Sequence, residues 1–271
     1  GGIVGIVDKA TDYGTIANCV NFGAVDGYQY SGGIAGTIYS VNVPIINCGN
    51  TALVSGHSSG HSCVGGIVAT TPGPVTNCFN TGNYRSAIDG NAGNLASNYG
   101  GIAGNNGASN AGFIKNCYNT GTFVMDGNTT TGSTVGIICG VTQRSGDLVN
   151  CYFLDTALGS INRNDINLNY LSINQARTDA QMKAAPFLEE LNGDGRAFVA
   201  DANNINNGFP ILAWQGTTTP ETYKVTVDSA ITGGTVTVDP ANGSAGDTIT
   251  VTVTVTPDSG KQLVAGSLKY T

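Results

Sequence analysis

Charge is what this sequence has least of. Only 11 of its 271 residues are Lys or Arg and 18 are Asp or Glu, and no Glu occurs before Glu189. With so few cations and a formal net charge of −7, there is no basic footprint for a phosphate backbone, which argues against a nucleic-acid partner. Histidine is limited to His57 and His61, no two cysteines stand at C-x-x-C spacing, and H-E-x-x-H is missing. The usual zinc signatures are therefore absent. No stretch reaches the ~18 apolar residues of a membrane-spanning helix. Apolar residues at three-and-four spacing are also missing from the repeated region, which excludes helical repeats. Asp26, Asp89 and Asp126 each stand alone before Gly, as turn residues do. General acid–base work needs a pair, so the chain is not expected to be an enzyme.

What the sequence has instead is repetition. Ile114-Lys115-Asn116-Cys117-Tyr118-Asn119-Thr120-Gly121 recurs in variant form around Cys19, Cys48, Cys78 and Cys151, the last copy keeping Asn-Cys but not the second Asn. A second marker alternates with it: Gly1-Gly2-Ile3-Val4-Gly5, Gly32-Gly33-Ile34, Gly65-Gly66-Ile67, Gly100-Gly101-Ile102, then Val135-Gly136-Ile137-Ile138. Two markers in fixed order at a period of roughly 30 to 35 residues define a repeat protein with one supersecondary unit per period. The motif is short and has two chemically distinct sides. If it were one extended strand, Ile114, Asn116 and Tyr118 would share a face and Lys115, Cys117 and Asn119 the other. The expected fold is all-β: a parallel β-solenoid, or β-helix, with coils stacked ~4.8 Å apart.

Stacking makes ladders of like residues: Cys19, Cys48, Cys78, Cys117 and Cys151, and beside them Asn18, Asn47, Asn77, Asn116 and Asn150. Seven cysteines would suit a disulfide framework, but the count is odd. Equivalent positions in successive coils also project in parallel, farther apart than the ~3.8 Å between bridged Cβ atoms. Free, buried thiols are expected. Asn suits a left-handed corner, where stacked amides bond to one another.

In chain order, residues 1–159 form the solenoid and 160–216 its C-terminal cap, with a capping box at Thr178 and Gln181, a helical turn begun by Pro186, and the only Trp, Trp214. Residues 217–222 are a linker, and 223–271 form a small β-sandwich-like module whose valines alternate with Thr or Lys. Gly1 falls on the first residue of a marker, so the chain is expected to continue upstream. The module is likewise expected to lack a closing strand.

The paired Gly-Gly-Ile and Asn-Cys-x-Asn markers resemble the GLUG repeats of bacterial cell-surface proteins, also found in the N-terminal region of immunoglobulin A metalloproteases. Residues 223–271 are similar to β-rich repeats of Gram-positive surface proteins. Together with the low charge and the missing chemistry, the resemblance implies an extracellular, non-enzymatic protein, a stalk, adhesin or fibre subunit, with a host or cell-wall glycan or protein as partner. End-to-end self-association is expected from the open first rung at Ile3, Val4 and Ile6 and the missing closing strand. The alternative is a carbohydrate-binding or polysaccharide-degrading β-helix protein, with Tyr28, Tyr30, Tyr84, Tyr99 and Tyr118 stacking on sugar rings. No cofactor is expected beyond one calcium candidate. Glu190, Asn192, Asp194 and Asp201 fall at positions 1, 3, 5 and 12 of an EF-hand-like loop, with Gly195 at the sixth.

Overall fold

A computed structural model describes residues 1–57, 62–87, 97–107, 112–126, 134–142, 147–158, 175–216, 223–224, 227, 234–239, 242–243 and 250–256. The linker, the first part of the expected cap through residue 174, the stretches 58–61, 88–96, 108–111, 127–133 and 143–146, which include His61 and Asp89, and the end of the last module lie outside these residues. The chain divides into two compact units, Gly1–Gly216 and Thr217–Thr271.

The first unit is a parallel β-solenoid. Each coil contributes short strands to four sheets. The marker sheet holds Val4–Val7, Ala35–Ile38, Val68–Thr70, Ala103–Asn105 and Cys139–Val141. The Asn-Cys sheet runs from Ile16–Asn21 through Ile45–Asn50, Val75–Asn80 and Ile114–Asn119 to Leu148–Leu154, and ends on Ala176–Arg177. A third sheet stacks Val25–Gly27, Val54–Gly56, Tyr84–Ala87 and Phe123–Asp126, and a fourth Tyr30–Gly32, Cys63–Gly65, Asn98–Gly100 and Thr134–Gly136. All these pairings are parallel and in register, for example Ile114 on Leu148 and Cys117 on Cys151.

The corners explain why the strands are short. Asn18, Asn47, Asn77, Asn116 and Asn150 all have φ between 49° and 55°, a left-handed conformation that Asn accepts at low cost. This corner resets the pleat, so the motif does not alternate as one strand would. Ile114 lies on the same inner side as Cys117, both fully buried in the main core, while Lys115 is exposed and Tyr118 faces outward. The main core stacks Ile34, Ile67, Ile102 and Ile138 against Ile45, Val75 and Ile114 and the cysteines. A second core, Val54, Val64, Tyr84, Tyr99, Phe123 and Val135, fills the space between the third and fourth sheets, where the Tyr84 hydroxyl donates to the Gly136 carbonyl at 3.1 Å.

The two sequence markers meet in space. The second asparagine of each motif points inward and forms its own ladder: the Asn21 amide donates to Asn50 at 2.7 Å, Asn50 to Asn80 and Asn80 to Asn119 at 2.8 Å each. The second glycine of each marker faces that ladder. A Cβ on Gly66 would stand 2.3 Å from the Asn80 amide carbon and 2.0 Å from the Gly101 carbonyl oxygen, and Gly33 and Gly101 are equally closed. The last coil drops both residues together. Register sets Phe153 opposite Asn119, and Ile137 follows Gly136, which pairs with Gly100. The ladder then ends with the Asn119 amide donating to the Ile137 carbonyl at 3.0 Å.

Residues 160–216 were expected as a small helical and strand C-terminal cap; of these, 175–216 are described, and they pair at the last rung and then also run back over the outer side of the Asn-Cys sheet. Helix α1 (Asp179–Met182), begun by the Thr178/Gln181 capping box, α2 (Ala185–Asn192), and the antiparallel pair Phe198–Val199 with Ile211–Leu212 lay Met182, Phe187, Leu191, Phe198, Phe209 and Leu212 against Phe79, Tyr118 and Tyr152 of three successive coils. These outward aromatics need cover, and the segment supplies it. Phe79 and Tyr118 stack at 5.6 Å between centroids, and Gly49 leaves the space that the Phe79 ring fills. Trp214 sits in the short helix α3 (Ala213–Gly216), its indole N–H donating to the Asn47 carbonyl. Among the described residues of the second unit, Gly234–Asp239 pairs antiparallel with Thr250–Val255, and Tyr223–Lys224 with Asn242–Gly243.

Candidate functional site

The outer asparagine ladder gives this molecule its most regular polar surface. Asn47 donates to Asn18 at 3.3 Å, Asn77 to Asn47 and Asn116 to Asn77 at 3.1 Å, and Asn150 to Asn116 at 3.3 Å. Near its upper end the ladder opens into a cleft of about 370 Å³ lined by Lys115, Asn116, Asn150 and the Asn192-Gly193-Asp194-Gly195 turn. At Asn47 it is bordered by Trp214. Lys115 and Asp194 are exposed at the cleft, and the ladder amides between Asn47 and Asn150 are half-buried.

The four residues proposed for calcium are not gathered into one ligand set. Glu190 pairs with Arg177. The Asn192 amide is spent on Phe198, accepting from its N–H at 2.9 Å and donating to its carbonyl at 3.0 Å. Asp201 accepts from the backbone N–H groups of Ile205, Asn206 and Gly208 at 2.9, 2.7 and 3.0 Å. The spacing is EF-hand-like, but three of its four side chains are bonded to Arg177, to Phe198 and to the 205–208 backbone.

The cysteines are free thiols, all of them buried except the half-buried Cys19. Burial holds the Cys117 thiol well above its ordinary value and pushes Cys139 up to about 12, and both side chains pack in the main core as small fillers. Of the five tyrosines considered for sugar stacking, Tyr84, Tyr99 and Tyr118 are buried in the cores, which removes them from that role. Tyr28 and Tyr30 are exposed.

One polar group has no local signature in the sequence. Asp26, Ser55 and Arg85 stack in register on the third sheet, one per coil. Arg85 Nε donates to Ser55 Oγ at 3.0 Å, and His57 contacts the Asp26 carboxylate. Each of the three lies seven residues after a motif cysteine, so aligning the coils would have found them. Their partners are Arg85 for the hydroxyl and Asp26 for the imidazole, so Ser55 and His57 are not coupled as nucleophile and base. Among the described residues, no three of His, Cys, Asp and Glu come together as a metal site, and no helix is long and apolar enough to cross a membrane.

No family model matches the chain, and no curated protein matches it. A crystal structure from Bacteroides ovatus, of a candidate immunoglobulin A1 protease, aligns with a TM-score of 0.52 at 24% identity, over 79% of this chain and 64% of the other. The chain thus spans less than two thirds of that protein's crystallised length. At this identity the likeness establishes the fold alone.

Proposed function

We propose that this chain is a non-catalytic structural region of an extracellular bacterial surface protein, a stiff solenoid that spaces or displays what it is joined to. The observation that supports it is the lateral tie. A plain solenoid couples each coil only to its neighbours and can open from an end. Here residues 175–216 touch coils along the stack, through Trp214 at Asn47, Asn206 at Thr81 (3.1 Å) and the buried contacts to Tyr118 and Tyr152. Load applied at one end is shared by the set.

The GLUG-like markers and the neighbour's assignment to an immunoglobulin A1 protease point the same way: a solenoid accompanying a protease, with no H-E-x-x-H in this part. Pulling Gly1–Gly216 from its ends in an optical trap tests the proposal. A single cooperative rupture is expected, and sequential release of coils at low force refutes the tie. Cleavage of immunoglobulin A1 or of any polysaccharide by the purified chain would refute the non-catalytic part.

A further inference from the structure

The molecule contains two asparagine ladders of different valence. In the inner one, Asn50 and Asn80 use both amide N–H groups, one on the next coil and one on the carbonyl of Ala52 or Gly82, and both residues are fully buried. That ladder is closed to any ligand. In the outer one, each of Asn47, Asn77 and Asn116 spends one N–H on the coil below and one lone pair on the coil above. An amide has two N–H donors and two lone pairs, so each keeps one of each, facing out at the coil spacing. Among the described residues, Asn150 at the end of the row also has its carbonyl oxygen without a partner, beside Gly193 and Asp194.

We infer that the outer ladder, with Trp214 at its lower end and the Asp194 turn at its upper end, binds a neutral polysaccharide chain lying along the solenoid axis. A sugar hydroxyl is both donor and acceptor, which is the pair each amide has left. The half-exposed indole of Trp214 offers a flat face for the C–H side of a pyranose. The hydrogen bonds from amide to amide along the ladder hold the side chains in place before any ligand arrives, so little ordering cost is added on binding. An extended peptide fits less well. It seeks an open strand edge, and the strands beneath this ladder are paired on both sides from coil two to coil four. This ligand class rests on the surface-protein reading above, while the site itself rests on the geometry.

Trp214 is the only tryptophan in the chain, so its fluorescence reports on the site directly. Titration of the whole chain with cellohexaose, xylohexaose, mannohexaose and chitohexaose should give a saturable change with at least one of them. The double variant Asn77→Gly/Asn116→Gly keeps the backbone turn and removes two amides, so it should weaken that binding roughly tenfold or more, with the thermal midpoint little changed. Tyr28→Ala, on an exposed site elsewhere, should leave the binding intact. The inference is overturned by no response to any of the four sugars, by binding that the double variant does not weaken, or by binding that Tyr28→Ala abolishes. Saturable binding of extended peptides without sugars also overturns it. None of these outcomes touches the single-rupture result, so the two proposals fail separately.

Discussion

Replacing Asn80 by Ala removes one amide and breaks three hydrogen bonds: from Asn50 at 2.8 Å, to Asn119 at 2.8 Å and to the Gly82 carbonyl at 2.7 Å. The site is fully buried, so water cannot replace the lost partners. Two of the three partners retain another bond, Asn50 to Ala52 and Asn119 from the Gly121 N–H, which leaves the Gly82 carbonyl without its side-chain donor. At about 1 kcal/mol for each broken bond, the loss is roughly 3 kcal/mol. Asn77, three residues earlier in the same motif, provides the control. Asn77→Gly keeps the left-handed turn and loses two half-exposed bonds of 3.1 Å, which water can remake, so less than about 1 kcal/mol is expected. Urea unfolding of the two variants, compared at unchanged m, measures both. If Asn80→Ala costs no more than Asn77→Gly, the inner ladder does not hold the coils together, and its pairing with the marker glycines has another cause.

Gly66→Ala should destabilise more than Asn80→Ala, and the double variant should not recover, because the Gly101 carbonyl stands 2.0 Å from the new Cβ even when the amide is gone; thermal melting of the three proteins checks this. Tyr118→Phe removes a hydroxyl bonded to the Pro210 carbonyl and to Asn206 at 2.8 Å, and should cost about 1 to 2 kcal/mol and raise amide exchange across residues 198–212. At high pH, Cys139 loses protons from the unfolded chain first: its folded value of about 12 lies above the ordinary 9.0, so its stabilising effect is whole below about pH 9 and falls as the pH climbs toward 12. Cys139→Ala should flatten that part of the stability curve relative to the parent. Chelation should leave the melting temperature unchanged, since Asp201 is already held by backbone N–H groups, and a chelator-dependent loss that Asp194→Ala removes would restore the calcium reading.

The solenoid was legible because its determinants are local and repeated: a marker glycine or a corner asparagine says the same thing in every coil. The phase of the motif was not. A single left-handed residue at Asn116 shifts which side Ile114 occupies, and strand alternation carries no sign of it beyond the identity of the asparagine. The course of residues 178–216 was hidden for a different reason. Its helix signals at Thr178 and Pro186 were local and readable, but its destination depends on Phe79, Tyr118 and Tyr152, which lie in three coils and look like ordinary motif variation until they are stacked. The Asp26, Ser55 and Arg85 column was unreadable residue by residue and becomes visible only when the coils are superimposed.

The joint loss of asparagine and glycine in the final coil bears on how such a protein can change its length. The contact between the inner asparagines and the marker glycines is alike at the interior seams, so copying a stretch such as 65–99 in tandem would set Asn80 on Asn80 and keep that contact. The coil bearing Ile137 and Phe153 cannot be copied in that way, because nothing placed above it would find an amide to receive or a bare backbone to lie against. The inner ladder by itself would accept a further coil at an interior seam, whereas the coil at its end, where the segment that ties the coils together begins, offers no such seam.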